Sequence, residues 1–83
     1  MTRDEISEKI NSIIAKEFEI PAEKINPKTN IAEDLELDSL DYVNVLVFLE
    51  EAFNVKLEAA KFKEVKTFDD LYDFVTSVVN GKN

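Results

Sequence analysis

The sequence lacks both cysteine and histidine, and it holds a single glycine, Gly81. Without cysteine the chain has no disulfide, no cysteine metal site and no thiol nucleophile of its own. Without histidine it has no histidine zinc site, no serine triad and no usual general base for neutral pH. One glycine near the end of the chain also excludes a glycine-rich phosphate loop. These absences predict a protein that is not an enzyme, with neither catalytic residues nor a bound metal.

Long apolar runs are missing as well, and 83 residues are too few for two independent cores. No segment approaches the roughly 18 apolar residues that a membrane span requires. The chain begins with charged residues rather than with an apolar signal region. We therefore expect one domain, residues 1–83, with no membrane span. Since disulfides are also absent, we expect the protein to lie in the cytoplasm. We also expect a monomer.

Basic residues are missing from one continuous stretch, residues 29–55, which contains seven acidic side chains. These acids are Glu33, Asp34, Glu36, Asp38, Asp41, Glu50 and Glu51. The whole chain has a net charge of −8, so most of its excess charge is concentrated here. A patch of one sign attracts partners of the opposite sign and repels nucleic acid. The sequence therefore predicts basic protein partners and no nucleic acid.

Apolar periodicity predicts an all-α fold, a small bundle of three main helices and one short helix. The predicted helices span residues 3–18, 39–53, 59–65 and 68–80. Thr2 and Glu5 form a capping-box pattern at the first helix, and Asp38 and Thr67 suit the N-caps of the second and last. A long loop, residues 19–38, connects the first and second helices; loops of this length are often functional.

The second helix has apolar residues on two opposite sides. Its predicted core face consists of Tyr42, Val45, Leu46, Leu49, Ala52 and Phe53. The opposite side carries Leu40, Asn44, Val47 and Glu51. Because so small a domain cannot bury both sides, we expect the second side to bind a partner.

Ser39 opens this helix inside the acidic stretch. Asp38 already suits the N-cap, which leaves the Ser39 hydroxyl free to face solvent. A phosphate ester at this position would lie near the positive end of the helix dipole and the unpaired amides of the first turn. The sequence therefore indicates a position where a group is attached.

Residues 35–41 (LELDSLD) resemble the attachment motif of the acyl carrier proteins, and residues 49–55 resemble the end of the same helix in that family. The similarity in length, charge and helix order extends over essentially the whole chain. It implies that a phosphopantetheinyl transferase attaches 4′-phosphopantetheine covalently to Ser39. The thiol of that arm would carry acyl groups as thioesters between enzymes of fatty acid synthesis or of a specialised lipid or polyketide pathway.

The resemblance also implies contacts with acyl-transferring or acyl-ligating enzymes that carry basic patches. The implied partner-binding residues are Asp38, Leu40, Asp41, Asn44, Val47, Glu50 and Glu51. The interior between the helices is expected to shelter an acyl chain, with Val43 and Phe48 at its border.

The chain departs from the family pattern at several positions around Ser39. Glu36 replaces a frequent glycine, Asn44 replaces a frequent acid, and Tyr42 and Phe48 are bulkier than usual. These departures favour a specialised carrier over one that serves general fatty acid synthesis.

Three alternatives remain open. A carrier of aminoacyl or peptidyl groups would use the same Ser39. A docking module that carries nothing would use only the acidic helix. A loose divalent-cation site would draw on the four acids between residues 33 and 38, although the spacing and glycine of an EF-hand are absent.

Overall fold

Helices form the regular secondary structure of residues 2–81, the part of the chain that the computed structural model describes, and no β-strand occurs within it. The α-helices are α1 (Arg3–Glu17), α2 (Ile31–Asp34), α3 (Ser39–Phe53), α4 (Ala59–Phe62) and α5 (Phe68–Gly81). A 3₁₀ turn, Ala22–Lys24, lies between α1 and α2. The predicted all-α fold with three main helices is confirmed. None of these helices is both long and apolar enough to cross a membrane.

The first helix begins with the predicted capping box. Thr2 Oγ1 accepts a hydrogen bond from the Glu5 amide at 3.2 Å, and Glu5 Oε1 accepts one from the Thr2 amide at 2.9 Å. Its inner stripe, Ile6, Ile10 and Ile14, is fully buried. These isoleucines anchor α1 in the apolar core against α3 and α5.

The long loop contains α2, which the sequence analysis did not predict. Asn30 caps this helix by accepting from the Glu33 amide at 2.9 Å, and the Asp34 carboxylate accepts from the Asn30 amide at 2.7 Å. Ile31 is fully buried, and its amide donates to the carbonyl oxygen of Lys66 at 2.8 Å. The loop is therefore fixed to the start of α5 on one side and leads directly into α3 on the other.

The third helix begins at its predicted N-cap, where Asp38 Oδ1 accepts from the Asp41 amide at 2.8 Å. Its buried residues are Val45, Leu46 and Leu49, whereas the rest of the predicted core face is half-buried. The helix ends where Asn54 adopts a left-handed conformation with φ 55°. Asparagine is one of the few side chains that tolerate this geometry at a helix end.

The last two helices differ slightly from their predicted bounds. The short helix α4 stops at Phe62, three residues before the predicted end. Thr67 Oγ1 accepts from the Asp70 amide at 3.2 Å, as expected of the N-cap of α5. That helix continues through Gly81, one residue beyond the predicted end. Arg3 joins α1 to α5 through ion pairs with Asp69 and Asp73 at 2.6 and 2.9 Å.

Candidate functional site

Ser39 is the first residue of α3, and its side chain is exposed. Asp38 supplies the cap, and among residues 2–81 the Ser39 hydroxyl has no hydrogen-bond partner. The first backbone bond of the helix joins the Tyr42 amide to the Asp38 carbonyl oxygen at 3.0 Å. The amides of Ser39 and Leu40 precede that bond, so they belong to the unpaired donors of the first turn. The site therefore presents an accessible alcohol beside backbone N–H groups.

The turn before Ser39 holds Glu36 in a left-handed conformation, with φ 56°. The Leu37 amide donates to the carbonyl oxygen of Ala32 at 3.0 Å, which closes the end of α2 and redirects the chain into α3. A side chain with a Cβ is strained in this region of backbone space, whereas glycine is not. Glycine would therefore adopt without strain the conformation that this chain adopts with a glutamate.

One side of α3 is exposed along its whole length. We call Leu40, Asn44, Val47 and Glu51 the outer face of α3. Leu40 is 70% exposed and Val47 is 41% exposed, and the two polar members are also exposed. Their spacing of three to four residues places all four on one helix side. The structure thus brings these four of the predicted partner-binding residues together on one surface.

The three remaining predicted partner-binding residues, Asp38, Asp41 and Glu50, lie off the outer face and are partly engaged in the local structure of α3. The Asp38 carboxylate holds the Asp41 amide, and Asp41 itself is half-buried. Glu50 Oε2 accepts from the Leu57 amide at 2.8 Å. Glu50 therefore fixes the segment that leads from α3 to α4, a role that sequence spacing did not indicate because the two residues lie in different elements.

A series of three rings, which we call the aromatic row, connects α3, α4 and α5: Tyr42, Phe62 and Phe74. The Tyr42 ring centroid lies 4.6 Å from that of Phe62, which lies 6.3 Å from that of Phe74. The Tyr42 hydroxyl donates to the carbonyl oxygen of Val65 and lies 3.2 Å from that of Phe62. Burial raises the pKa of Tyr42, and the charge of Asp70 raises it further. The phenol is therefore protonated and able to donate at neutral pH.

Val43 does not border the interior between the helices, contrary to expectation. Val43 is 53% exposed, and the Phe48 ring packs edge-on against Phe18 of the α1 end, with centroids 5.8 Å apart. A side chain at position 43 points outward because the inner side of this turn belongs to Tyr42 and Leu46. The bulk of Tyr42 is evident from the sequence, but the contacts of its hydroxyl with residues 20 and 23 positions later are not.

The acids before α3 do not form the loose cation site that was considered. No group of three or more potential ligands capable of holding a metal occurs in the described range. Asp34 and Asp38 each hold a backbone amide instead, at 2.7 and 2.8 Å. Asp38 caps α3, whereas Asp34 holds the amide of Asn30, the N-cap of α2, so each carboxylate is directed at its own helix.

Comparison with known proteins gives a consistent assignment. A family model described as "Phosphopantetheine attachment site" matches residues 8–75. The chain is 38% identical over 79 residues to an acyl carrier protein of Thermosynechococcus vestitus, covering 95% of this chain and 98% of that protein. It is 34% identical over 79 residues to acyl carrier protein 2 of Ralstonia nicotianae, covering 95% of this chain and 98% of that protein. A solved acyl carrier protein from Enterococcus faecalis superimposes with a TM-score of 0.78 at 28% identity, covering 94% of this chain and 99% of that one.

Proposed function

We infer the function from the family: the chain belongs to the acyl carrier proteins, and it carries acyl groups on 4′-phosphopantetheine. It is a carrier and not an enzyme, as the absence of the usual catalytic side chains had predicted. When bound, phosphopantetheine supplies the terminal thiol that this cysteine-free chain lacks, and acyl groups are held on that thiol as thioesters.

We propose that Ser39 is the residue that holds the arm. The single observation that carries this proposal is an exposed hydroxyl without a partner among residues 2–81, at the start of α3 and inside the matched range. The unpaired amides of Ser39 and Leu40 suit a phosphodiester, because the helix dipole is positive at this end. Asp38 keeps its own carboxylate directed at the Asp41 amide, which leaves the hydroxyl clear. The residues present therefore fit the group.

A phosphopantetheinyl transferase is the proposed source of the modification. Its reaction makes an ester bond between Ser39 Oγ and the phosphorus of the pantetheine phosphate of coenzyme A. The hydroxyl proton is released, and adenosine bisphosphate leaves with the electrons of the broken phosphoanhydride bond. The chain contributes an exposed acceptor and a patch of acids, which attracts a transferase with a basic surface.

The outer face of α3 is the proposed docking surface for this transferase and for acyl-transferring or acyl-ligating enzymes. Exposed Leu40 and Val47 supply apolar contact next to the attachment point, and Glu51 adds charge to that surface. Asp41 and Glu50 add charge on either side. Complementary charge mainly accelerates association and selects partners, whereas apolar contact supplies binding free energy.

The proposed carrier acts as a monomer with one domain over residues 1–83 and serves a dedicated lipid or polyketide pathway. Support for a dedicated pathway comes from the side chains next to Ser39, in particular Glu36, Tyr42 and Asn44. The relatives named above are acyl carrier proteins, which favours acyl over aminoacyl cargo.

The test is modification of the folded protein with coenzyme A and a promiscuous transferase, followed by intact-mass measurement. Wild type is expected to gain the mass of one phosphopantetheine, and Ser39→Ala none. Ser77→Ala is the matched control, because Ser77 is also an exposed serine on a helix. A gain that persists in Ser39→Ala, or no gain in folded wild type, contradicts the assignment.

A further inference from the structure

The carrier has its interior filled directly beside the proposed attachment point. Tyr42 lies one helical turn after Ser39, and its ring stacks on Phe62, which is 3% exposed. Val65 and Leu46, at 6% and 8% exposure, complete the wall between α3 and α4. Protein cores are packed as densely as organic crystals, so such a wall leaves no room for additional methylene groups.

The Tyr42 hydroxyl holds this arrangement closed. It bonds to the backbone carbonyl oxygens of Phe62 and Val65, at the end of α4 and just after it. Moving the ring aside would leave the half-buried carbonyl oxygen of Val65 without a donor, which is costly in a low-dielectric environment, whereas the carbonyl oxygen of Phe62 would still accept from the Val65 amide. The bond thus links α3 to α4 across the place where a chain tethered at Ser39 would otherwise enter.

A surface cavity lies beyond this wall. It is an open groove of about 820 Å³ between α4 and α5, and no residue of α3 lines it. Val65 and Phe74 form part of its floor, so the aromatic row stands between α3 and the groove. Its rim is charged, with Lys61 and Asp73 among the lining residues. The row therefore blocks the path from Ser39 to the apolar floor.

We propose that the aromatic row keeps the carried acyl chain outside the helical interior, so that this carrier transports short or polar acyl groups. The inference rests on attachment at Ser39. Inserting a long alkyl chain would require exposing the Phe62 ring, and this loses as much apolar burial as several methylene groups would gain. A long chain left outside would expose apolar surface to water, whereas a short or polar group would not.

The experiment compares thermal midpoints of the holo protein loaded with an acetyl or an octanoyl group. In wild type both forms are expected to melt within about 1 °C of each other, because a chain that gains no burial adds no stability. In Phe62→Leu the octanoyl form is expected to melt several degrees above the acetyl form, since the smaller side chain opens the wall. Phe48→Leu is the control, because Phe48 packs on Phe18 away from the aromatic row. The acetyl and octanoyl forms of this variant should have the same melting temperature.

A wild-type octanoyl form that melts several degrees above the acetyl form would overturn the proposal. So would changes in the methyl NMR signals of Leu46 and Val65 that appear only with the longer chain. If Phe62→Leu fails to fold, the NMR comparison on wild type decides by itself.

A second route separates this inference from the attachment proposal. Because the chain has no cysteine, Ser39→Cys creates a unique thiol that can be alkylated with N-methyl or N-octyl iodoacetamide. Equal midpoints for the two adducts support the closed interior, even if the transferase does not modify wild type. A higher midpoint for the octyl adduct contradicts the closed interior, whatever the transferase does.

Discussion

Replacing Glu36 by glycine should stabilise this protein, although most glycine substitutions destabilise. Glu36 has φ 56°, and a left-handed residue with a Cβ costs about 1–2 kcal/mol. Glycine in turn loses about 0.5–1 kcal/mol of additional backbone entropy on folding. The difference between the midpoints of these two ranges predicts that Glu36→Gly raises the free energy of unfolding by about 0.5–1 kcal/mol. In a domain of this size that corresponds to a rise in melting temperature of roughly 2–8 °C.

Two matched variants test whether relief of backbone strain causes the stabilisation. Circular dichroism monitors the thermal unfolding of each variant. Glu36→Gln removes the charge but keeps the strained backbone, so its melting temperature should change little. Glu51→Gly places glycine inside α3 at an exposed position, and should cost about 1 kcal/mol. If Glu36→Gly destabilises as much as Glu51→Gly does, the strain argument is refuted. If Glu36→Gln raises the melting temperature as much as Glu36→Gly does, then loss of charge repulsion within the acidic patch explains the stabilisation instead.

Three further predictions follow from the residues around α3. Tyr42→Phe keeps the ring but leaves the half-buried carbonyl oxygen of Val65 without a donor, so denaturant unfolding should show a loss of about 1–2 kcal/mol; an unchanged midpoint would contradict the closing role of the hydroxyl. Burial raises the pKa of Tyr42 above the usual 10.0, so the unfolded chain loses its phenolic proton first. Stability from this group is therefore complete below pH 10.0 and is lost as pH rises through the folded value; ultraviolet titration of Tyr72→Phe, which leaves Tyr42 as the only tyrosine, should show a pKa above that of free tyrosine. Glu51→Lys should slow association with a basic partner enzyme and weaken its salt dependence without changing the fold, whereas equal stopped-flow rates at low salt would remove this residue from the docking surface.

The sequence was sufficient to predict those helices whose caps and apolar periods lie close together along the chain. The stripe of Ile6, Ile10 and Ile14 and the cap at Thr2 place α1, and Asp38 places the start of α3. The helix α2 was missed because one turn is too short to show a period. Its position depends on the bond from the Ile31 amide to Lys66, which joins distant parts of the chain.

The same distinction between local and distant signals applies to the candidate site. Ser39 and the outer face of α3 follow from a cap and from helical spacing, which are local properties. The bond of Glu50 to the Leu57 amide and the stacking of Tyr42 on Phe62 depend on how α4 folds back. The resemblance of residues 35–41 to the attachment motif drew attention to Glu36, but only the backbone of the folded chain shows that this position is a left-handed turn that favours glycine.

The most direct test of the central claim is the intact mass of this protein isolated from the cells that make it, with fragmentation to locate any adduct. The account predicts one phosphopantetheine arm, bound to Ser39 and to none of the other serines, bearing either the free thiol or a short acyl group. A protein recovered without any arm from cells with an active transferase, or with the arm on a different residue, would contradict it.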